Sequence, residues 1–305
     1  MFSEQEVLSG PVLLNAMRGE PTGPPLLLLH GVTRCWQDFM PLLPSLASRW
    51  HVHGLDFRGH GGSQRAAGQY LVTDYVQDSI AFVVDEIAAP VVLYGHSLGA
   101  MVAAAVAAEA PRLVQAVVLE DPPFETLGQR IAATHFHSYF RGVEEIALRS
   151  AGASVDKVAH ELAECIVDTP SGGPRVRLGD LRDAASLRFS AKCLLDIDPA
   201  LLRPIIEGRW LSGYDCQQIL TGLQCPTLLL QADYAAGGML TDAGADEIVA
   251  LVPHCTHVRM PGVGHLIHST ETEATLQIVT SFLESLNVFR PGAALLDDNS
   301  EVSFR

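Results

Sequence analysis

Basic residues are scarce in this chain of 305 residues: 20 Lys and Arg stand against 35 Asp and Glu, a formal net charge of −15 with a pI near 5.1. No cluster of Lys or Arg interrupts the deficit, so phosphate backbones and anionic lipid surfaces meet repulsion, and nucleic acid is excluded as a partner. Long apolar runs are missing as well. The run through Met101–Ala108 falls far short of the roughly 20 residues that span a bilayer, which excludes a membrane-spanning helix and a membrane partner. Residues 1–15 carry Glu4 and Glu6 and no basic cluster followed by a long apolar core, so they do not read as a secretory signal. The six cysteines (Cys35, Cys165, Cys193, Cys216, Cys225, Cys255) form no C-x-x-C pair. Without a signal, reduced thiols and a cytoplasmic location are expected. Charged residues make up only 18%, but the deficit is spread evenly, which excludes a disordered or coiled-coil chain.

Hydrophobic residues make up 48%, and a chain of this length buries roughly 75% of its unfolded surface. One large domain with an insertion fits this better than two independent ones. Short β-rich runs alternate with helical patterns, the signature of strands joined by crossover helices. Val12–Ala16, Leu26–Leu29, His51–Leu55, Val91–Tyr94 and Val114–Glu120 read as strands, and Leu26–Leu29, apolar throughout, reads as buried on both faces of a sheet. Trp36–Ser48, Thr73–Ala88 and the Ala-rich Ser97–Ala110 read as helices. From Phe124 to Asp215 the pattern turns helical, with more charge and no strong strand. Alternation returns with Thr227–Gln231, Asp242–Leu251 and Thr256–Met260, then a last helix from Glu271 to Leu286, for which Thr270 and Glu273 offer a capping box. The organisation expected is a core of 1–123 and 216–287, an insertion at 124–215, and a poorly ordered tail at 288–305.

The strongest local signal is Gly95-His96-Ser97-Leu98-Gly99, placed between a strand and the Ala-rich helix. This is the G-x-S-x-G nucleophile elbow. The chain turns so sharply there that side chains at Gly95 and Gly99 would collide with neighbours, and Ser97 emerges at a helix N-terminus that favours an anion. A serine hydroxyl needs a base within reach. Of twelve histidines, His265 stands out, because Pro261-Gly262-Val263-Gly264-His265 follows a strand and reaches the C-terminal edge of the sheet, where catalytic groups of open α/β sheets gather. His268 is its competitor. His30-Gly31-Val32 follows the second buried strand, where acyl transfer needs an oxyanion donor; the N–H groups of Val32 and Leu98 are the candidates, with His30 holding the loop. Asp56-Phe57-Arg58-Gly59-His60-Gly61-Gly62-Ser63 lacks the lysine and the spacing of a phosphate cradle and reads as a shaping turn. The spacings His51/His53 and His135/His137 have no accompanying Cys or carboxylate at ligand distance, so no metal is expected.

These four segments, His30-Gly31-Val32, Asp56-Phe57-Arg58-Gly59-His60-Gly61, Gly95-His96-Ser97-Leu98-Gly99 and Gly262-Val263-Gly264-His265, resemble those of the α/β-hydrolases of the esterase, lactonase and dehalogenase type. The resemblance runs from about residue 11 to 287. It implies an α/β-hydrolase fold, a mostly parallel doubly wound sheet with a helical cap at Phe124–Asp215. It also implies a carboxylate that orients His265. Most relatives carry that acid just beyond the strand Thr227–Gln231, near Ala235; here the nearest carboxylate is Asp233. Some, among them haloalkane dehalogenases and zearalenone lactonases, carry it at the end of the preceding strand, which without gaps falls on Glu120. Glu120 is the first choice, with Asp233 and Asp121 as alternatives; chain order fits all three.

The expected activity is a serine hydrolase acting on a small-molecule carboxylic ester or lactone through an acyl-enzyme on Ser97, without a cofactor. An aspartate nucleophile, which dehalogenase and epoxide hydrolase chemistry requires in this family, is replaced by Ser97. Alternatives are a C–C bond hydrolase or amidase with the same triad, a cofactor-free oxygenase or perhydrolase, and a non-catalytic receptor of the same fold. The cap aromatics Phe124, Phe136, Tyr139, Phe140 and Trp210 are divided between core and pocket wall.

Overall fold

The computed structural model describes residues 2–66, 68–124, 126–170 and 172–286. The expected tail at 288–305 lies outside these. The strands are β1 (Ser3–Ser9), β2 (Val12–Arg18), β3 (Pro25–Leu29), β4 (His51–Leu55), β5 (Val91–His96), β6 (Val114–Glu120), a short hairpin of β7 (Ile166–Val167) and β8 (Val176–Arg177), then β9 (Thr227–Ala232) and β10 (Cys255–Met260). All but the hairpin join one sheet in the order β1-β2-β4-β3-β5-β6-β9-β10. The pairs β1/β2 and β2/β4 are antiparallel and the rest parallel. This is an α/β-hydrolase fold.

Successive side chains of a strand point to opposite faces, and the central strands are apolar on both. Leu26 and Leu28 share one core with Val92, Tyr94, Ala116, Val118, Leu228 and Leu230. Leu27 and Leu29 share the other with Leu93, Val117, Leu119 and Leu229. Helices seal both faces. The helices are α1 (Leu43–Leu46), α2 (Val72–Phe82), α3 (Leu98–Glu109), α4 (Phe136–Arg149), α5 (Val155–Ala163), α6 (Ala184–Asp196), α7 (Leu202–Ile206), α8 (Cys216–Gly222), α9 (Asp242–Leu251), α10 (Ile267–Thr270) and α11 (Thr272–Ser285). Residues of α2, α3 and α9 close the Leu27 face, and residues of α1 and α11 close the Leu26 face. The segment between β6 and α8 is α4 to α7 with the hairpin and short 3-10 turns, and its apolar side chains continue the Leu27 core.

Local departures from expectation have local causes. The helix expected over Trp36–Ser48 divides into a 3-10 turn, Trp36–Phe39, and α1, because Pro41 and Pro44 have no N–H for a continuous ladder. Helix α2 stops at Phe82 and widens into a π-helical turn, Val83–Ile87, closed by Ala88 in the left-handed region at φ 53°. The last helix is interrupted at Glu271, which takes φ −122° and ψ 55°, so the Thr270/Glu273 capping box does not form; the Thr272 hydroxyl donates instead to the His268 carbonyl at 2.9 Å. β1 was not expected. As an edge strand with one exposed face it carries little apolar signal.

All six cysteines are free thiols; Cys35 and Cys193 are buried with their sulfurs 3.4 Å apart. Among the described residues no helix is long and apolar enough to cross a membrane.

Candidate active site

Ser97 sits between β5 and α3 with φ 54° and ψ −114°, a left-handed backbone that L-residues avoid. Close packing enforces the turn. A Cβ on Gly95 would collide with the Gly99 carbonyl, and one on Gly99 with the Leu29 carbonyl. The Ser97 N–H donates to the Glu120 carbonyl at 2.9 Å, which ties the elbow to the end of β6. Because α3 begins at Leu98, that residue's N–H belongs to the first turn and has no intrahelical acceptor. Val32 lies in a turn closed by the Arg34 N–H on the Gly31 carbonyl, and it borders the same cavity as Ser97 and His265.

His265, on the loop after β10, has Nδ1 2.6 Å from Oδ2 of Asp121. A carboxylate accepts, so Nδ1 carries the proton and Nε2 is left with its lone pair. Asp121 is fully buried, and its carboxylate is fixed by the N–H groups of Met239 (2.7 Å), Leu240 (3.2 Å) and Ala232 (3.3 Å). Its own backbone is left-handed, at φ 45°.

The expectation for Glu120 is corrected by this geometry. Its carboxylate accepts from the Nδ1 and N–H of His268, at 2.8 and 3.0 Å, and from the Tyr94 hydroxyl at 2.7 Å. Strand alternation explains the exchange: Glu120 follows Ala116 and Val118 onto the Leu26 face, where Tyr94 and Phe39 pack, and Asp121 has the parity of Val117 and Leu119. Counting faces from the elbow would have found it, since Ser97 shares the parity of Leu93. Asp233 does not meet His265 either. It caps the turn at Tyr234–Ala236 and accepts from Ala235 and Gly262 N–H groups, both at 2.9 Å, which hold its carboxyl below the ordinary range and anchor the loop that carries His265.

Beneath the pair lies a buried network that sequence reasoning missed. Burial opposes a charge on His268, but Glu120 and Asp38 outweigh it and raise its imidazole to about 10. Burial likewise opposes ionisation of Glu120, and His268 reverses this, lowering the carboxyl to about 2. Asp38 lies 3.5 Å from His268 Nε2 and is ion-paired with Arg34. Phe39 stacks on the His268 ring at 4.9 Å. His96, the variable residue of the elbow motif, donates from Nε2 to the His265 carbonyl at 3.0 Å, with the two rings 4.5 Å apart; burial lowers its imidazole to about 3. Ligand atoms of His96, Glu120 and His268 lie within 4.8 Å of one another. Each of the three is engaged in hydrogen bonds, His96 with the His265 carbonyl and His268 with Glu120.

His30 accepts the Phe57 N–H on Nε2 at 3.1 Å and donates from Nδ1 to the Gly31 carbonyl at 2.7 Å, holding the loop that carries Val32. The Gly-rich turn is built around Asp56, which takes the Trp36 N–H, the Asn15 amide and the Gly62 N–H, and around Arg58, whose guanidinium grips buried Asp78 through two bonds of 2.6 Å. His53 faces His51 at 4.2 Å, and the His135 ring lies 3.8 Å from that of Phe136.

Ser97 and His265 border a cavity of about 40 Å³ with Val32, Arg34, Tyr139, Phe140 and Arg182. A second cavity, of about 360 Å³, shares Tyr139, Arg182, Met239, His265 and Leu266 with it and adds Phe136. Trp210 is fully buried in the core, and Phe124 stacks near Tyr214. A cleft of about 780 Å³ beside α4 and α5 holds neither Ser97 nor His265.

Comparison with known proteins agrees with this architecture. The chain is 26% identical over 294 residues to a 2-(acetamidomethylene)succinate hydrolase of Mesorhizobium japonicum, covering 93% of this chain and 96% of that protein. It is 27% identical over 281 residues to an sn-1-specific diacylglycerol lipase of Mus musculus, covering 90% and 85%. The crystal structure of the enol-lactonase from Burkholderia xenovorans LB400 superposes with a TM-score of 0.71 at 16% identity, covering 92% of this chain and 100% of that one. The model of the alpha/beta hydrolase fold matches residues 24–272, and the chain belongs to that family.

Proposed function

We propose that the protein is a serine hydrolase of carboxylic esters or lactones, with Ser97 as nucleophile, His265 as general base and Asp121 as the acid that orients it. The reading is carried by the Asp121–His265 hydrogen bond, which in the neutral imidazole puts the proton on Nδ1 and turns Nε2 into the acceptor, in a histidine that borders the same cavity as Ser97. Nε2 takes the Ser97 proton as Oγ attacks the acyl carbon, and Asp121 stabilises the imidazolium that forms. The N–H groups of Val32 and Leu98 hold the oxyanion. His265 then protonates the leaving alcohol, and a water activated by the same imidazole releases the acyl group from Ser97. Relatives named as a lipase and an enol-lactonase support the ester and lactone class.

The relative named as an acetamidomethylene succinate hydrolase favours a second reading, cleavage of a C–N or C–C bond by the same residues. The two readings differ in the leaving group. The test is hydrolysis of p-nitrophenyl acetate, butyrate and octanoate by the wild type and by Ser97→Ala, both checked for folding by circular dichroism. Expected is turnover that falls by roughly 10³-fold or more in the variant. Equal rates in both proteins overturn the nucleophile; a wild type that cleaves anilides or vinylogous diketones but no ester moves the assignment to the second reading.

A further inference from the structure

The charged groups around the two shared cavities are unequal in one respect. Asp168 in the larger cavity is paired with Arg175 at 3.0 Å, and Asp183 accepts the Ser186 N–H at the start of α6, at 2.9 Å. Arg182 borders both cavities, and among the described residues no carboxylate lies within ion-pairing distance of it; its guanidinium lies 5.2 Å from the centre of the Tyr139 ring. Arg34, packed against α6 with its guanidinium 4.6 Å from the centre of the Phe189 ring and bordering the same small cavity as Ser97, is only 7% exposed. It uses one terminal nitrogen on Asp38 and the other on Ser190 at 3.0 Å, and its Nε is buried without a partner.

A planar guanidinium presents a fork of donors whose natural complement is a planar carboxylate. In a chain of net charge −15 the overall field repels anions, so an arginine without a counter-ion beside the nucleophile reverses that field locally. We propose that the substrate carries a carboxylate on its acyl side, held by Arg182, so that the enzyme acts on monoesters of dicarboxylic acids or on lactones that bear a further carboxylate. The neighbouring walls, Tyr139, Phe136, Leu266 and Met239, then cover the intervening methylene chain. The proposal rests on the serine-hydrolase reading for its reaction, but the anion site stands on Arg182 alone.

The test compares kcat/KM for the p-nitrophenyl monoester of adipic acid with that for p-nitrophenyl hexanoate, which has the same acyl length and no charge. Expected is a ratio favouring the anion by roughly tenfold or more, which falls about tenfold in Arg182→Gln and is partly restored in Arg182→Lys. A ratio near one in the wild type, unmoved by either variant, overturns the subsite while leaving the hydrolase reading intact. If no ester is cleaved, the ester and lactone reading fails, and calorimetric titration of glutarate into the wild type and Arg182→Gln decides the subsite. Binding weakened about tenfold in the variant supports it, and absence of binding to the wild type overturns it. Should Arg182→Gln not fold, raising NaCl to 0.5 M lowers the wild-type ratio if the attraction is electrostatic, and an unchanged ratio counts against it.

Discussion

Asp121 and His265 meet at 2.6 Å across 144 residues of chain, and the residue before Asp121 makes a parallel contact with the histidine three beyond: Glu120 to His268, at 2.8 Å. Two adjacent carboxylates at one strand end thus serve two histidines three residues apart, His265 on the loop after β10 and His268 in α10. His265 of the first pair borders the cavity with Ser97 while Asp121 lies buried behind it, and the second pair is buried completely.

The division of labour is testable by three amide substitutions. Asp121→Asn is expected to lower kcat by about 10³- to 10⁴-fold, because an amide can donate to Nδ1 and stabilise the wrong tautomer. Glu120→Gln leaves the His268 imidazolium with less countercharge in a buried site, and its main expected effect is a loss of about 3 kcal/mol or more in urea unfolding. Asp233→Asn, which acts only through the loop, is expected to change kcat by less than about tenfold. A folded Glu120→Gln protein that loses turnover as steeply as Asp121→Asn would remove Asp121 from the assigned role.

Gly99→Ala tests whether backbone contact sets the elbow. The new methyl would strike the Leu29 carbonyl, a backbone atom of a central strand that has no rotamer by which to give way. The expected cost is at least about 3 kcal/mol, at or beyond the upper end of ordinary overpacking. A urea midpoint equal to that of the wild type would mean that α3 slides away from β3 freely.

Buried histidines give the stability a definite pH profile. Burial lowers His30 to about 4 and His53, His60 and His96 to about 3. The unfolded chain protonates these groups near 6.5, so between about pH 6.5 and 4 it binds more protons than the folded one and stability falls as acid is added, by up to about 1.4 kcal/mol per pH unit for each histidine. His268 works in the other direction. Raised to about 10, it contributes fully below about 6.5 and loses that contribution as the pH climbs to 10. Glu120, lowered to about 2, contributes fully above about 4.3 and loses its share only below that. Urea midpoints measured from pH 4 to 10 should therefore peak near neutrality and fall on both sides. A midpoint unchanged between pH 6.5 and 4 would contradict the neutral state of the four lowered imidazoles.

Local pattern was enough for much of this protein. Four consecutive leucines in β3 mark a strand covered on both faces, since no solvent face tolerates them. Gly95 and Gly99 bracket Ser97 because a strand turning straight into a helix leaves no room for a Cβ. The loop that brings His265 to the sheet edge is visible in its glycines. These features depend on residues within a few positions of one another. The orienting carboxylate depends on something else. Glu120 and Asp121 are adjacent and chemically alike, and which of them reaches His265 is decided by strand parity at the end of β6, by the left-handed backbone of Asp121, and by N–H groups of Ala232, Met239 and Leu240 more than a hundred residues away. Arg182 differs in kind: its sequence neighbours Asp180 and Asp183 are engaged by local contacts, with Arg177 and with the start of α6, among the described residues no carboxylate pairs with it, and only the fold brings it to the cavity that Ser97 borders. Sequence alone determined the chain's fold and the tight turn that presents Ser97, because those rest on local sterics and periodicity. Tertiary structure decided which acid meets His265, because the pleat at the end of β6 sends neighbouring side chains to opposite faces, and which cation borders the cavity, because that cavity is assembled from segments far apart in the chain.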